Sequence, residues 1–243
     1  TADQRTSHEC LCATMHKVEY PQAAIDFIMR RRGKLHIYEE IEPAKTALIV
    51  VDMQSAFVAE GAAIETPVAR EIVPNINRLA AACREAGAMV AWVISTYGPK
   101  PEDYWPTFFD HVMSPEAAER FRGALIEGEE SHAIYPPLDY VAGEAVISKN
   151  RFGAFIGSGG KLEETLRAAA IDTLIIAGTV TNMCCETTAR EACMLNFKTI
   201  MVSDGNAGRN DEEHNAALSA FLIGMGDVHS TDDLIVMLDS AAS

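Results

Sequence analysis

The stretch TLIIAGTVTNMC, Thr173–Cys184, opens as a short apolar run and passes through a glycine and a polar turn before it reaches a cysteine. A run this short, rich in Ile and closed by turn residues, reads as a buried strand rather than a helix. Four further runs have the same character: TALIVV (Thr46–Val51), AMVAWVIS (Ala88–Ser95), EAVIS (Glu144–Ser148) and KTIMVS (Lys198–Ser203). Longer helical patterns separate them, which is the signature of a parallel sheet wrapped by crossover helices. Gly226–His229 supplies a short additional strand. The predicted fold class is α/β, a three-layer sandwich around a central, mostly parallel sheet of about six strands.

The helical patterns are explicit. Ile72, Ile76, Leu79 and Cys83 are spaced by four, three and four residues, so one stripe faces the sheet, with Pro74 trimming the start of that helix. Lys161–Ala170, Glu186–Asn196 and Asp211–Leu222 read as further helices. A last one begins at Thr231, where Asp232 and Asp233 suit the positive end of the helix dipole. The domain is expected to span 41–243. Residues 1–40 form an N-terminal extension, either a solvated or an oligomerisation arm, in which Ile25, Ile28 and Met29 precede a basic run at Arg30, Arg31 and Arg32. The segment 97–141 is long for a connection and carries Tyr104, Trp105, Phe108 and Phe109, which makes it a candidate lid.

Composition excludes several classes. The 243 residues hold 20 Lys plus Arg against 35 Asp plus Glu, a net charge of −15, which sets the wrong field for a nucleic-acid partner. No apolar run approaches the ~18 to 20 residues of a membrane helix. Thr1–Thr6 lack the basic-then-apolar order of a secretory signal, and the six cysteines do not form a disulfide-dense framework, so a cytoplasmic location with reduced thiols is expected.

Ligands of open α/β sheets bind beyond the carboxyl ends of the strands. There the first run ends in Asp52, the third in Lys149, and the fourth leads to Cys184 at the start of a helix. A thiol beside an ammonium group is biased towards the nucleophilic thiolate, and a nearby carboxylate can take its proton. Backbone N–H groups of the turn can hold a developing oxyanion, so the set suits attack on an amide or ester carbonyl. Helical geometry turns Cys185 about 100° from Cys184, so only one of the two thiols can face the cleft.

Val50-Val51-Asp52-Met53-Gln54, Lys149 after a short strand, and Gly178-Thr179-Val180-Thr181-Asn182-Met183-Cys184 with Thr188 downstream resemble the isochorismatase-like cysteine hydrolases over about Lys45 to Leu238. The resemblance implies Asp52 as general base, Lys149 as the triad lysine and Cys184 as nucleophile. It also implies a cis peptide between Thr179 and Val180, with the Val180 and Cys184 N–H groups forming the oxyanion hole. It further implies a homo-oligomer, dimer or tetramer, acting on a small-molecule substrate.

Cys184 counts against true isochorismatases, which lack the nucleophile. No Asp-x-His pair follows the second strand as in nicotinamidases, so no metal and no cofactor are expected. Thr181-Asn182-Met183-Cys184 with Glu186, Thr188 and Arg190, and Arg151-Phe152 after Lys149, look most like the ureidoacrylate amidohydrolases, beside the N-carbamoylsarcosine amidases. Asn75, Arg151, Phe57 and Thr181 are then candidate substrate-binding residues, with Arg122 and His132 as further holders of a substrate carboxylate. The rival substrates are maleamate- or nicotinamide-like amides, and the rival class is a thiol redox sensor. His8, Cys10, Cys12 and His16 lack the spacing of a usual zinc module and are expected to lie on an untethered arm.

Overall fold

The structure, a computed structural model, describes residues 14–241. Along the chain, α1 (Gln22–Arg32) precedes β1 (Thr46–Val51), α2 (Ser55–Val58), α3 (Val73–Ala86) and β2 (Met89–Ser95). Then come α4 (Pro106–His111), α5 (Pro115–Gly123), β3 (Ala145–Lys149), α6 (Ala154–Gly157), α7 (Lys161–Ala168) and β4 (Thr173–Thr179). The chain closes with α8 (Glu186–Met194), β5 (Lys198–Ala207), α9 (Asp211–Gly224), β6 (Asp227–His229) and α10 (Thr231–Ala241).

The six strands form one sheet in the order β3-β2-β1-β4-β5-β6, and every neighbouring pair is parallel. Strand alternation divides the core between the two faces. Leu48 and Val50 of β1 join α3 and α10 on one side, while Ala47, Ile49 and Val51 join α7, α8 and α9 on the other. The apolar run of β1 is continuous because both of its faces are covered. Among the described residues no helix is long and apolar enough to cross a membrane.

The order matters more than the count. The chain leaves β1 towards β2 and β3 and later returns to β1's other side as β4, so the switch point lies between β1 and β4, where a doubly wound sheet opens a crevice. The two strands approach unusually closely there. Gly178, at φ 126°, lies so near β1 that a Cβ would sit 2.1 Å from the Val51 carbonyl oxygen. Gly178→Ala is expected to destabilise the protein by about 3 kcal/mol or more, combining a forbidden backbone angle with a collision. Gly61, at φ 74° with open space around it, serves as the control in urea denaturation. A loss at Gly178 no larger than at Gly61 would show that the strands simply move apart.

The segment 97–141 carries α4 and α5 and is fastened, near its C-terminal end, to the end of β1. Gln54 pairs with Ile134 in an antiparallel bridge, and the Tyr135 N–H donates to the Met53 carbonyl at 2.9 Å. An edge-on aromatic contact, Phe57 with Phe121 at 6.1 Å, joins it to the core, and Tyr97 meets Phe109 at 5.0 Å within it.

The described part of the N-terminal extension lies against its own domain. Ile28 is buried beneath α1. His16 corrects the expectation of an untethered arm: it is buried, its Nδ1 meets Asp211 at 2.7 Å and its Nε2 accepts the Gly208 N–H at 2.9 Å. His8, Cys10 and Cys12 lie outside the described residues.

Candidate active site

Asp52 is the first residue beyond β1 and holds φ 51°, a left-handed conformation that a short polar side chain tolerates better than most. Its N–H donates to the Val93 carbonyl at 2.8 Å, which fixes the turn and aims the carboxylate inward. Lys149 closes β3, which is not a neighbour of β1, since β2 runs between them. The long lysine stem crosses β2 and brings Nζ to 2.7 Å from Asp52 Oδ2, with both side chains fully buried.

Ser95, at the end of the intervening strand, fills the gap. Its hydroxyl donates to Asp52 Oδ1 at 3.0 Å and accepts from Lys149 Nζ at 2.9 Å. Gln54 locks Ser95 in turn, accepting its N–H at 2.8 Å and donating to its carbonyl at 3.0 Å and to that of His132 at 2.7 Å. Sequence reasoning passed over both residues as parts of the site, although Ser95 ends a predicted strand and Gln54 stands in the stretch that carries the resemblance.

Cys184 lies in a π-helical turn, Thr181–Cys185, between β4 and α8. Such turns displace side chains from the regular helical register and recur at functional sites. The Cys184 Sγ is 3.4 Å from Lys149 Nζ, and the Thr179–Val180 peptide is cis. An acid, an ammonium and a thiol from three different strand ends therefore meet in one buried cluster.

Burial dominates their ionisation. It pushes the Cys184 thiol well up; the Asp52 charge adds to this, and Lys149 only partly opposes it. The expected bias towards a resting thiolate is thus corrected: the ammonium is already neutralised by Asp52, so the resting sulfur is a thiol. Burial would lower Lys149, but the facing Asp52, Cys184 and Tyr97 raise it overall, which keeps it charged. Asp52 Oδ2, though ion-paired, has no aligned hydrogen-bond donor, so a buried carboxylate oxygen remains available for the thiol proton.

A second layer holds the turn. The Thr181 hydroxyl meets His214 Nδ1 at 2.9 Å, and His214 Nε2 meets the Ser203 carbonyl at 3.0 Å. Burial and the stacked His16 ring, 4.2 Å away, push His214 down to about 4, so it is neutral near pH 7. A neutral ring that donates from Nε2 accepts at Nδ1, which orients the Thr181 hydroxyl towards it. Thr181 is therefore spent on positioning the cysteine turn, not on a ligand.

The other sequence candidates separate. The Thr179–Val180 peptide is cis as expected, and Val180 immediately precedes the π turn that holds Cys184. Phe57 is 5% exposed and packs into the core, and the Asn75 amide donates to the backbone and side chain of Asp204 at 2.9 and 3.1 Å. Both groups are committed to the protein itself, which corrects their reading as substrate contacts. His132 is buried, with Nε2 2.8 Å from the Thr96 hydroxyl. Arg122 covers the Tyr104 ring at 4.4 Å.

Arg151 lies over Trp105 at 5.8 Å, while Trp105, Phe108 and Phe152 meet at centroid distances of 5.1 to 5.2 Å. This aromatic contact joins the 97–141 segment to the loop after Lys149. A cavity of 460 Å³ opens beside the ends of β2 and β3, with Thr96, Tyr97, Lys149 and Asn150 on its wall. Cys185 is fully buried and its thiol is pushed well up by that burial, and buried Cys83 is pushed up to about 12. Both fit the structural role expected of them.

Comparison with known proteins agrees with this fold. A family model described as "Isochorismatase domain" matches residues 46–233. The chain is 30% identical over 179 residues to the ureidoacrylate amidohydrolase RutB of Variovorax paradoxus, covering 68% of this chain and 69% of that protein. It is 27% identical over 198 residues to the uncharacterized isochorismatase family protein YwoC of Bacillus subtilis, covering 80% and 95%. Among solved structures, a cysteine hydrolase from Pseudomonas syringae superposes with a TM-score of 0.75 at 27% identity, over 83% of this chain and 95% of that one.

Proposed function

The chain belongs to the isochorismatase family, and from that premise we propose that it is a cysteine-dependent amidohydrolase that cleaves the C–N bond of a small ureido or carbamoyl compound or a linear amide. The observation that carries this reading is the buried cluster in which Lys149 Nζ lies 2.7 Å from Asp52 and 3.4 Å from Cys184 Sγ.

Asp52 takes the Cys184 proton as sulfur attacks the carbonyl carbon, so no thiolate has to accumulate in the buried site. Lys149, 2.7 Å from Asp52, balances the carboxylate before that moment and the developing negative charge after it. The oxyanion is held by the Val180 and Cys184 N–H groups. When it collapses, the C–N bond breaks and Asp52 returns the proton to the departing nitrogen. Water, deprotonated by Asp52, then hydrolyses the thioester and frees the thiol. The products are an acid and ammonia from an amide, or an amine and a carbamate, which decomposes to carbon dioxide and ammonia, from a ureido compound.

The ureido preference is supported by the likeness to RutB and by the arginine that lies over Trp105 beside the site, where it can offer a cation to a substrate carboxylate. A redox-sensing role for Cys184 and Cys185 is disfavoured because burial raises both thiols and suppresses the reactive thiolate. The test is ammonia release from a panel of ureidoacrylate-type, N-carbamoyl, maleamate-type and nicotinamide substrates. The expected order places linear ureido and carbamoyl compounds first. A preference for nicotinamide would overturn the substrate class, and absence of ammonia from every member would overturn the amidase reading.

A further inference from the structure

At the far edge of the sheet, away from the cysteine, β6 presents Asp227 and His229, and the N-terminal extension lays His36 beside them. One ligand atom from each of these three residues lies within 4.8 Å of the others, the only such group of His, Cys, Asp and Glu found among the described residues. His36 Nδ1 is 2.9 Å from Asp227 Oδ1, and His229 Nε2 is 3.3 Å from Asp227 Oδ2. The two imidazole rings stack at 4.3 Å, and each brings one nitrogen to the same carboxylate.

The second contact is informative because it is at ion-pair distance, 3.3 Å, without an aligned hydrogen bond. His229 is 5% exposed, and its Nε2 is buried without any hydrogen-bond partner. A buried polar nitrogen left unsatisfied costs about 1–3 kcal/mol, so the position calls for a ligand. Ligands about 2.0–2.1 Å from a tetrahedral zinc ion stand about 3.3 Å apart, close to the observed spacing of His229 and Asp227.

The surroundings fit a cation. Asp227 is oriented by the Ile37 and Tyr38 N–H groups on Oδ2, at 2.6 and 2.9 Å, and by the Val228 N–H on Oδ1 at 2.9 Å. Backbone donors of this kind fix a ligating carboxylate from behind. A cavity of 410 Å³ reaches His36 and His229 from solvent, and Glu39 and Asp233 on its wall add negative potential at its mouth.

We propose that His36, Asp227 and His229 form a binding site for a divalent transition metal ion of the zinc class, which staples the N-terminal extension to β6. Two imidazoles and one carboxylate are a donor set that zinc favours, and three protein ligands leave one position for water. The site lies on the sixth strand, separate from the Asp52–Lys149–Cys184 cluster, and its role is structural.

The test is a Zn²⁺ titration of the full chain by calorimetry and thermal melting. It is made in a background carrying His8→Gln, Cys10→Ser, Cys12→Ser, Cys184→Ala and Cys193→Ser, which leaves only the fully buried thiols Cys83 and Cys185. One Zn²⁺ is expected per chain, with a Tm rise of about 5–10 °C at a hundredfold excess over Kd, reversed by chelator. His229→Gln gives up the unaligned 3.3 Å contact to Asp227 and the stacking on His36, and its Tm without metal, read beside the parent's, separates that loss from the loss of the ion. It and His36→Gln should each lose at least about tenfold in affinity together with most of the Tm rise. A parent that binds no Zn²⁺, or variants that bind it as tightly as the parent, would overturn the site.

Discussion

Cys184→Ala is expected to lower turnover by about 10⁴-fold or more, while Cys185→Ala keeps the rate within a few-fold of the parent. The two sulfurs are consecutive in sequence, yet only Cys184 contacts Lys149 Nζ, and Cys185 is fully enclosed by the core. Removing Cys185 therefore acts through packing: a small cavity and a loss of about 1 kcal/mol, with the chemistry intact. Single-turnover measurements of ammonia release check this directly. Equal losses of rate in the two variants would move the nucleophile assignment off Cys184. Full-length trapping of a thioester in the parent and in Cys185→Ala, but not in Cys184→Ala, is the complementary expectation.

Asp52→Asn should lower the rate by about 10²- to 10⁴-fold, the range associated with loss of a positioned general base. The amide keeps a carbonyl oxygen to accept from Ser95, so that contact survives. Lys149 loses its counter-ion but, lying in surroundings whose burial favours the neutral form, can release its proton and remain inside. Lys149→Met is the more damaging change for stability. It strands the Asp52 carboxylate, which is fully buried, at a cost of about 3–5 kcal/mol. The double variant Asp52→Asn/Lys149→Met should recover much of that stability while remaining inactive. Urea denaturation alongside the ammonia assay separates the two effects. An active Asp52→Asn enzyme would end the general-base role, and a double variant as unstable as Lys149→Met would show that the cost is one of packing and not of charge.

The same contrast explains how much of the site could be anticipated. Asp52, Lys149 and Cys184 are visible because each follows an apolar run, and strand ends of a parallel sheet converge on one edge. Ser95 also ends such a run, but a serine has no distinctive chemistry until something is known to stand on either side of it. Its importance comes from strand order: β2 separates β1 from β3, so the lysine must cross it and needs a hydroxyl on the way. Phe57, Asn75 and Thr181 were picked from the sequence as substrate contacts without sight of their partners in the fold. Their positions in the chain are near the motif, but their side chains are taken by Phe121, Asp204 and His214.

His16 and His36 show a further limit of local reading. Both lie in an extension with little periodicity, and their partners, Asp211 and Asp227, are 195 and 191 residues away. No spacing rule connects residues at that separation.

The sequence by itself determined the parallel α/β class, the number of strands and the three residue types that gather at the strand ends, because hydrophobic runs and strand-end positions are local properties of the chain. Tertiary structure alone decided that Lys149 reaches Asp52 across a strand, that the cysteine rests as a thiol, and that two histidines of the extension are tied to the domain. Each of these depends on burial and on distances between remote segments, which set the local dielectric and the available partners, and neither quantity is written in the spacing of residues along the chain.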